Sequence, residues 1–320
     1  MNKILQAEPL SIPDTPSLRF LPEGPMALSD SLVSWVGIQH GSESNVGSLN
    51  LLDLKTNTNQ SFELPGRPGF AFPTSKENLF VVGCERSLGL FDLIDSSWNV
   101  LIGGVDAGVD NTIINDGWAI GSQLIFGTKD LEFATKKAGL YLYHGPLNEL
   151  VQLRSDQICS NGKALLADDQ GRHRLLDIDS PTRKLVSYPI DLETGQLGDA
   201  EVVIDFTGDP AVPDGAVLTP DGTGIVVAMF RPGVAEFGET RLYDLHTGNL
   251  LKTWQTLGSP QNTCPAFVRV EGKLKLLITT AVEHMSDEAQ EHCPNAGRIF
   301  IADADLHDPG NDLTTRFTLS

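Results

Sequence analysis

The chain has 320 residues, 40% of them hydrophobic, and 42 acidic against 23 basic side chains leave a net charge of -19. A surface this negative repels nucleic acid and anionic membranes, which leaves small molecules as the expected partners. No acidic block is long enough to act as a tail, so the charge is read as a solvated surface.

Taken in chain order, short β-rich runs recur in pairs around turn signals. The first pair is residues 25–28 and 32–36, followed by 70–72 with 79–82 and 118–120 with 124–126. The series continues with 163–167 and 174–176, 216–218 and 225–229, and 266–270 and 276–280. A further strand follows most pairs, at 48–54, 88–93, 139–143, 185–190 and 240–245. The turns after the last two are near copies, Asp191-Leu192-Glu193-Thr194-Gly195 and Asp244-Leu245-His246-Thr247-Gly248. Only residues 286–292 read as helical.

A spacing of about 45–52 residues falls near that of propeller blades. Two hairpins per repeat give four antiparallel strands per blade. The pattern therefore predicts an all-β, six-bladed propeller in a single domain spanning 1–320, with 1–16 as an N-terminal extension. Residues 17–21 or 313–319 are expected to supply the outer strand of the last blade.

Four polar motifs sit at one phase of the repeat: Glu23-Gly24-Pro25, Asn115-Asp116-Gly117, Asn161-Gly162 and Asp214-Gly215. Asn-Gly and Asp-Gly are ordinary turn dipeptides, but Glu is not a favoured turn residue, and a common phase is not a property of turns. Lying just before the innermost strands, these residues are expected to meet on the central axis. Two carboxylates and two amides there suit a hard divalent cation, with Ca²⁺ the first expectation and Zn²⁺, Mg²⁺ or Mn²⁺ tolerated. The equivalent positions of the remaining repeats hold Arg67-Pro68-Gly69 and Thr263-Cys264.

Cys84, Cys159, Cys264 and Cys293 lack C-x-x-C or zinc-finger spacing and are expected as buried free thiols. Residues 1–22 carry no apolar run of signal-peptide type, so a cytoplasmic monomer or homodimer is expected. His144 and His246 fall at outer turns and read as surface residues.

The stretches Leu21-Pro22-Glu23-Gly24-Pro25, Asn115-Asp116-Gly117 with Phe126-Gly127-Thr128, Ser160-Asn161-Gly162, Asp177-Ile178-Asp179-Ser180 and Val212-Pro213-Asp214-Gly215 carry a resemblance. In this order and spacing the chain resembles the regucalcin, gluconolactonase and luciferin-regenerating-enzyme family. The resemblance implies one divalent ion on a propeller axis, with Glu23, Asn161 and Asp214 as ligands and Asn115 approaching metal or substrate. It also implies hydrolysis of a lactone or related cyclic ester by metal-activated water. Asp214 and Asn115 are the expected catalytic residues, Asp214 acting as base or as nucleophile. Two rival readings are a phosphotriester hydrolase on the same site and a non-catalytic calcium-binding propeller that holds a ligand or partner.

Departures from the family fall among its substrate contacts. The family often has Arg where this chain has Ile113, and Met where it has Lys129, with Asp130 and Glu132 close behind. Lys129 is expected either to hold a substrate carboxylate or hydroxyl or to pair with Asp130 or Glu132. Glu132, Ile113 and His284 complete the expected substrate-binding set. Residues 282–297 are expected to form a partial lid with His284 turned toward the pocket.

Overall fold

The computed structural model describes residues 3–319. Apart from one short helix and two 3-10 turns, its regular structure is all strand. In chain order the first strands are β1 (Lys3–Pro9), β2 (Pro22–Ser29), β3 (Leu32–Gly37), β4 (Ser48–Asp53) and β5 (Thr58–Glu63). Next come β6 (Pro68–Pro73), β7 (Leu79–Cys84), β8 (Ser87–Asp92) and β9 (Trp98–Ile102). They are followed by β10 (Thr112–Ile120), β11 (Gln123–Asp130), β12 (Ala138–His144) and β13 (Glu149–Gln157). The fourth group is β14 (Ser160–Ala167), β15 (His173–Asp179), β16 (Lys184–Asp191), β17 (Gln196–Leu197) and β18 (Glu201–Asp205). The last are β19 (Val212–Leu218), β20 (Gly224–Phe230), β21 (Phe237–Asp244), β22 (Leu250–Leu257), β23 (Asn262–Val270), β24 (Lys273–Thr280) and β25 (Phe300–Asp303), with helix α1 (Asp287–His292) before β25.

Every strand pair read from the sequence is present, but the sheets do not separate into six. Among the described residues there are five: β2 to β5, β6 to β9, β10 to β13, β14 to β18, and one eight-stranded sheet. The eight-stranded sheet runs β19-β20-β21-β22-β1-β25-β24-β23. Its two halves are joined by β1, which pairs parallel to β22 and antiparallel to β25. The segment read as an N-terminal extension is therefore a sheet strand. Neither expected closing segment takes that place. Residues 17–19 form a 3-10 turn, and Phe317 makes a lone parallel bridge to Thr74. Sequence reading missed β1 because it has little apolar pattern. Only Ala7 of it is buried, and it is held by backbone ladders and by polar contacts such as Gln6 Nε2 to Gln255 Oε1 at 2.9 Å.

The chain divides into two compact units. One comprises the residues up to Arg67 with Gly208–Thr314; the other is Pro68–Thr207 with the residues from Thr315 onward. In the first unit, Trp254, Phe267, Leu276, Ile278 and Phe300 pack between the halves of the eight-stranded sheet. A second cluster there is built on Trp35, Val33, Val268 and Leu277. Trp35 is fully buried and its indole N–H donates to Asn59 Oδ1 at 2.9 Å, so its polar atom is satisfied. In the second unit, Ile125, Leu140, Leu142 and Leu175 form the equivalent core.

The copied turns fold alike for a local reason. Asp191 Oδ1 accepts from the N–H groups of Glu193 and Thr194, and Asp244 Oδ1 from those of His246 and Thr247. Gly195 and Gly248 then close each turn on the Asp carbonyl at 2.8 Å. Asp side chains that mimic a backbone acceptor in this way initiate turns without help from the rest of the fold.

Candidate functional site

The four polar motifs lie inside strands, not before them. The innermost strand of each repeat slips register at that phase. The slips fall between Glu23 and Met26 in β2, Ile114 and Gly117 in β10, Asn161 and Ala164 in β14, and Pro213 and Ala216 in β19. The two repeats that carry Arg67-Pro68-Gly69 and Thr263-Cys264 at this phase slip as well, between Pro68 and Phe70 and between Asn262 and Cys264. A bulge adds a residue to one strand and turns its side chain out of the pleat. The slip presents Glu23, Asn115, Asn161 and Asp214, and glycine follows directly in three of the motifs. Gly162, at φ +33, takes a conformation that a side chain would strain. Gly69 has a different reason, since a Cβ there would strike the carbonyl of Asn115 on the neighbouring strand.

In the second unit, β10 packs against both β6 and β14, and this brings Asn115 to Asn161. Asn115 Nδ2 donates to Asn161 Oδ1 at 2.7 Å and to the Ser160 carbonyl at 2.8 Å. Asn161 Nδ2 donates to Ser180 Oγ at 2.8 Å. Both asparagines are 6% exposed.

Beneath them lies a charged group that sequence reading passed over. Lys163, within β14, donates to Ser160 Oγ at 2.6 Å and to the Asn161 carbonyl at 3.1 Å. Its ammonium pairs with Asp177, whose other oxygen accepts from Gln157 Nε2 at 2.6 Å. Asp116 and Asp179 face the same group. Burial pushes the Asp116 carboxyl up, while the Lys163 ammonium and the Gly117 and Gly162 N–H groups oppose the shift. Asp179 is raised for the same primary reason, against N–H donors from Cys159 and Ile158. The missed signal was a Lys followed by Ala-Leu-Leu in β14, facing an Asp between Leu176 and Ile178 in β15.

In the first unit, β23 packs against both β2 and β19 and so lies between the Glu23 and Asp214 motifs. Thr263 Oγ1 donates to the Pro22 carbonyl at 2.7 Å and contacts Thr279 Oγ1 at 2.8 Å, fixing β2 beside β23. Glu23 Oε2 accepts from the Gly24 N–H at 2.7 Å. Asp214 is 9% exposed.

The expected substrate contacts separate. Ile113 is 2% exposed and directly opposite Lys129 in the β10–β11 ladder. Lys129 is also buried. Glu132 is 60% exposed and hydrogen-bonds Asn111, so it does not join them. His284 departs from the lid expectation: its side chain is 74% exposed, with Nε2 3.9 Å from Glu283. Residues around it are held instead by a small core of Val282, Cys293 and Ala296 with Phe20 and Met285. His144, expected at the surface, is buried, with Nδ1 2.8 Å from Gln123 Nε2. All four cysteines are buried and none forms a disulfide, as their spacing suggested.

Among the described residues, no cluster of three or more His, Cys, Asp or Glu side chains has metal-binding geometry, so an ion here must draw on amides as well as acids. Taken unit by unit, the donors are of the kind a hard cation accepts: the second unit holds two buried amide side chains, with Asn161 oriented through Ser180, and the first holds the carboxylates of Glu23 and Asp214. Among the described residues no helix is long and apolar enough to cross a membrane.

The SMP-30/gluconolactonase/LRE-like region model matches residues 21–282. A Bacillus subtilis (strain 168) protein named as a candidate sugar lactone lactonase, YvrE, is 31% identical over 182 residues. That match covers 56% of this chain and spans 58% of the relative's own length. Among solved structures, a calcium-binding regucalcin from Agrobacterium tumefaciens strain C58 aligns with a TM-score of 0.77 at 23% identity, covering 94% of this chain and 95% of the other. A luciferin-regenerating enzyme aligns at 0.76 and 18% identity, covering 92% and 95%. These structural likenesses show the fold, an all-β propeller.

Proposed function

Because the chain belongs to the SMP-30/gluconolactonase/LRE-like family, we propose that it is a hydrolase that opens a lactone or related cyclic ester with the help of one divalent cation, calcium first. We read the two halves of the eight-stranded sheet as two blades that share β1, which gives six blades in all. The ion's ligands are drawn from Glu23, Asn115, Asn161 and Asp214. One observation carries this reading: the register slip recurs in the innermost strand of every repeat, and in four of them it falls at Glu23, Asn115, Asn161 or Asp214. The names of the relatives, lactonase and calcium-binding regucalcin, agree with it.

A bound divalent ion supplies Lewis acidity toward a carbonyl oxygen. The chain's own residues supply position and a proton acceptor. Asn115 and Asn161, locked to each other and to Ser160 and Ser180, give a fixed polar wall that needs no rearrangement when substrate arrives. Asp214 accepts the proton of the attacking water, a role for a carboxylate that must stay ionised at neutral pH.

The test is calorimetric titration with Ca²⁺, joined to a lactone and ester panel assayed with and without chelator. Asn161→Ala and Asp214→Ala should each lose calcium affinity and hydrolysis, while circular dichroism retains the strand signature. Wild-type calcium affinity in either variant would remove that residue from the ligand set. Calcium binding with no turnover on any ester would replace the hydrolase by a binding protein.

A further inference from the structure

We propose that the substrate carries an anionic group, a carboxylate on the lactone or ester, and that Lys129 receives it. The inference rests on the hydrolase reading for its setting and, for its content, on a largely buried lysine that has no counter-ion among the described residues.

Lysine is almost never this buried without a counter-charge. Lys129 is 5% exposed. The two acids expected to pair with it are engaged elsewhere. Asp130 accepts from the N–H groups of Glu132, Ala134 and Thr135 and from Thr135 Oγ1, and it pairs with Lys137 at 3.0 Å. Glu132 bonds Asn111 and lies 3.7 Å from Lys137. Among the described residues, the one partner of the Lys129 ammonium is the ring of Phe133, 5.9 Å from Nζ to the centroid. That ring is placed by the same Asp130 turn, in which the Phe133 N–H donates to the Asp130 carbonyl at 3.0 Å. An aromatic face attracts a cation without neutralising it.

Position supplies the second argument. Directly opposite residues of an antiparallel pair project on the same face, so Lys129 and Ile113 share one. On its other side Lys129 bridges Cys159, and the Asp130 N–H donates to Ile158 at 2.7 Å. The Cys159 sulfur in turn lies 3.4 Å from Asn161 Nδ2 and 4.0 Å from Asn115 Nδ2. Lys129 is therefore separated from the asparagine pair in the strand ladder by Cys159 alone, and it stands across from an apolar residue that offers no hydrogen bond. Such a wall takes one charged substituent and disfavours a ring of hydroxyls.

The experiment uses the full calcium-loaded chain. Its substrates are a γ-butyrolactone bearing a ring carboxylate and the primary amide of the same lactone. Its binding probes are the corresponding γ-lactams, which resist hydrolysis and are titrated by calorimetry. Wild type should prefer the carboxylate about tenfold or more in kcat/KM and in lactam affinity, the scale of one charge-assisted hydrogen bond. Lys129→Met should bring the carboxylate-to-amide ratio near one, chiefly through KM, and Lys129→Arg should keep most of it. Neutral lactones opened with no charge preference would overturn the Lys129 assignment and leave the hydrolase reading standing. Lys129-dependent lactam binding with no lactone opened would do the reverse. Because the wild-type ratio is itself decisive, a misfolded variant does not rescue the proposal.

Discussion

The ammonium of Lys163 lies 3.1 Å from Oδ1 of Asp177, and neither side chain is more than 1% exposed. The contact is an ion pair rather than an aligned hydrogen bond, since that oxygen has no hydrogen-bond partner. The pair sits under the Asn115–Asn161 contact and ties β14 to β15. Removing one member of a buried pair strands the other, at a cost of about 3–5 kcal/mol, whereas replacing both by apolar groups is often neutral. Lys163→Met is therefore expected to lower stability by about that amount in urea melts. The double variant Lys163→Met with Asp177→Leu should recover most of it. A single variant as stable as wild type would show that the pair contributes little.

Ile113 should make the enzyme poor on polyhydroxylated sugar lactones. An aliphatic side chain cannot replace a guanidinium fork, and each sugar hydroxyl buried without a partner costs about 1–3 kcal/mol. Gluconolactone is expected to give a lower kcat/KM than its deoxy analogues, and Ile113→Arg to narrow the gap. Faster turnover of gluconolactone by wild type would refute this.

Asp130 gives a pH signature. Burial opposes its ionisation, but the N–H groups of Thr135 and Glu132, the Lys137 ammonium and the Ala134 N–H outweigh it and hold the carboxyl well below the usual range. A carboxyl depressed in the folded state stabilises fully above its unfolded value and loses that contribution as pH falls toward its folded one. The stability gap between wild type and Asp130→Asn should be flat above about pH 5 and shrink below about pH 4. Urea midpoints measured from pH 3 upward check it; a gap that grows on acidification has the wrong sign.

His284→Ala should be quiet. With the imidazole largely in solvent, the substitution is expected to change calcium affinity and kcat/KM by less than about twofold. A larger change in KM would restore the lid that the sequence suggested.

By itself the sequence determined the all-β repeat, the strand pairs, the Asp-led outer turns and the common phase of Glu23, Asn115, Asn161 and Asp214. These are local properties: apolar alternation, a side chain capping its own turn, and spacing along the chain. Tertiary structure decided what depends on distant partners. Strand β1 has too few apolar residues to announce itself, and only β22 and β25, some 250 to 300 residues on, make it a strand. The bulges that turn the motif side chains are a relation between two strands. Lys163 and Lys129 look alike in the sequence, each a lysine in a strand of mostly uncharged residues. Only the fold gives the first a buried carboxylate and leaves the second with an aromatic face, because a charge's partner is chosen in space and not along the chain.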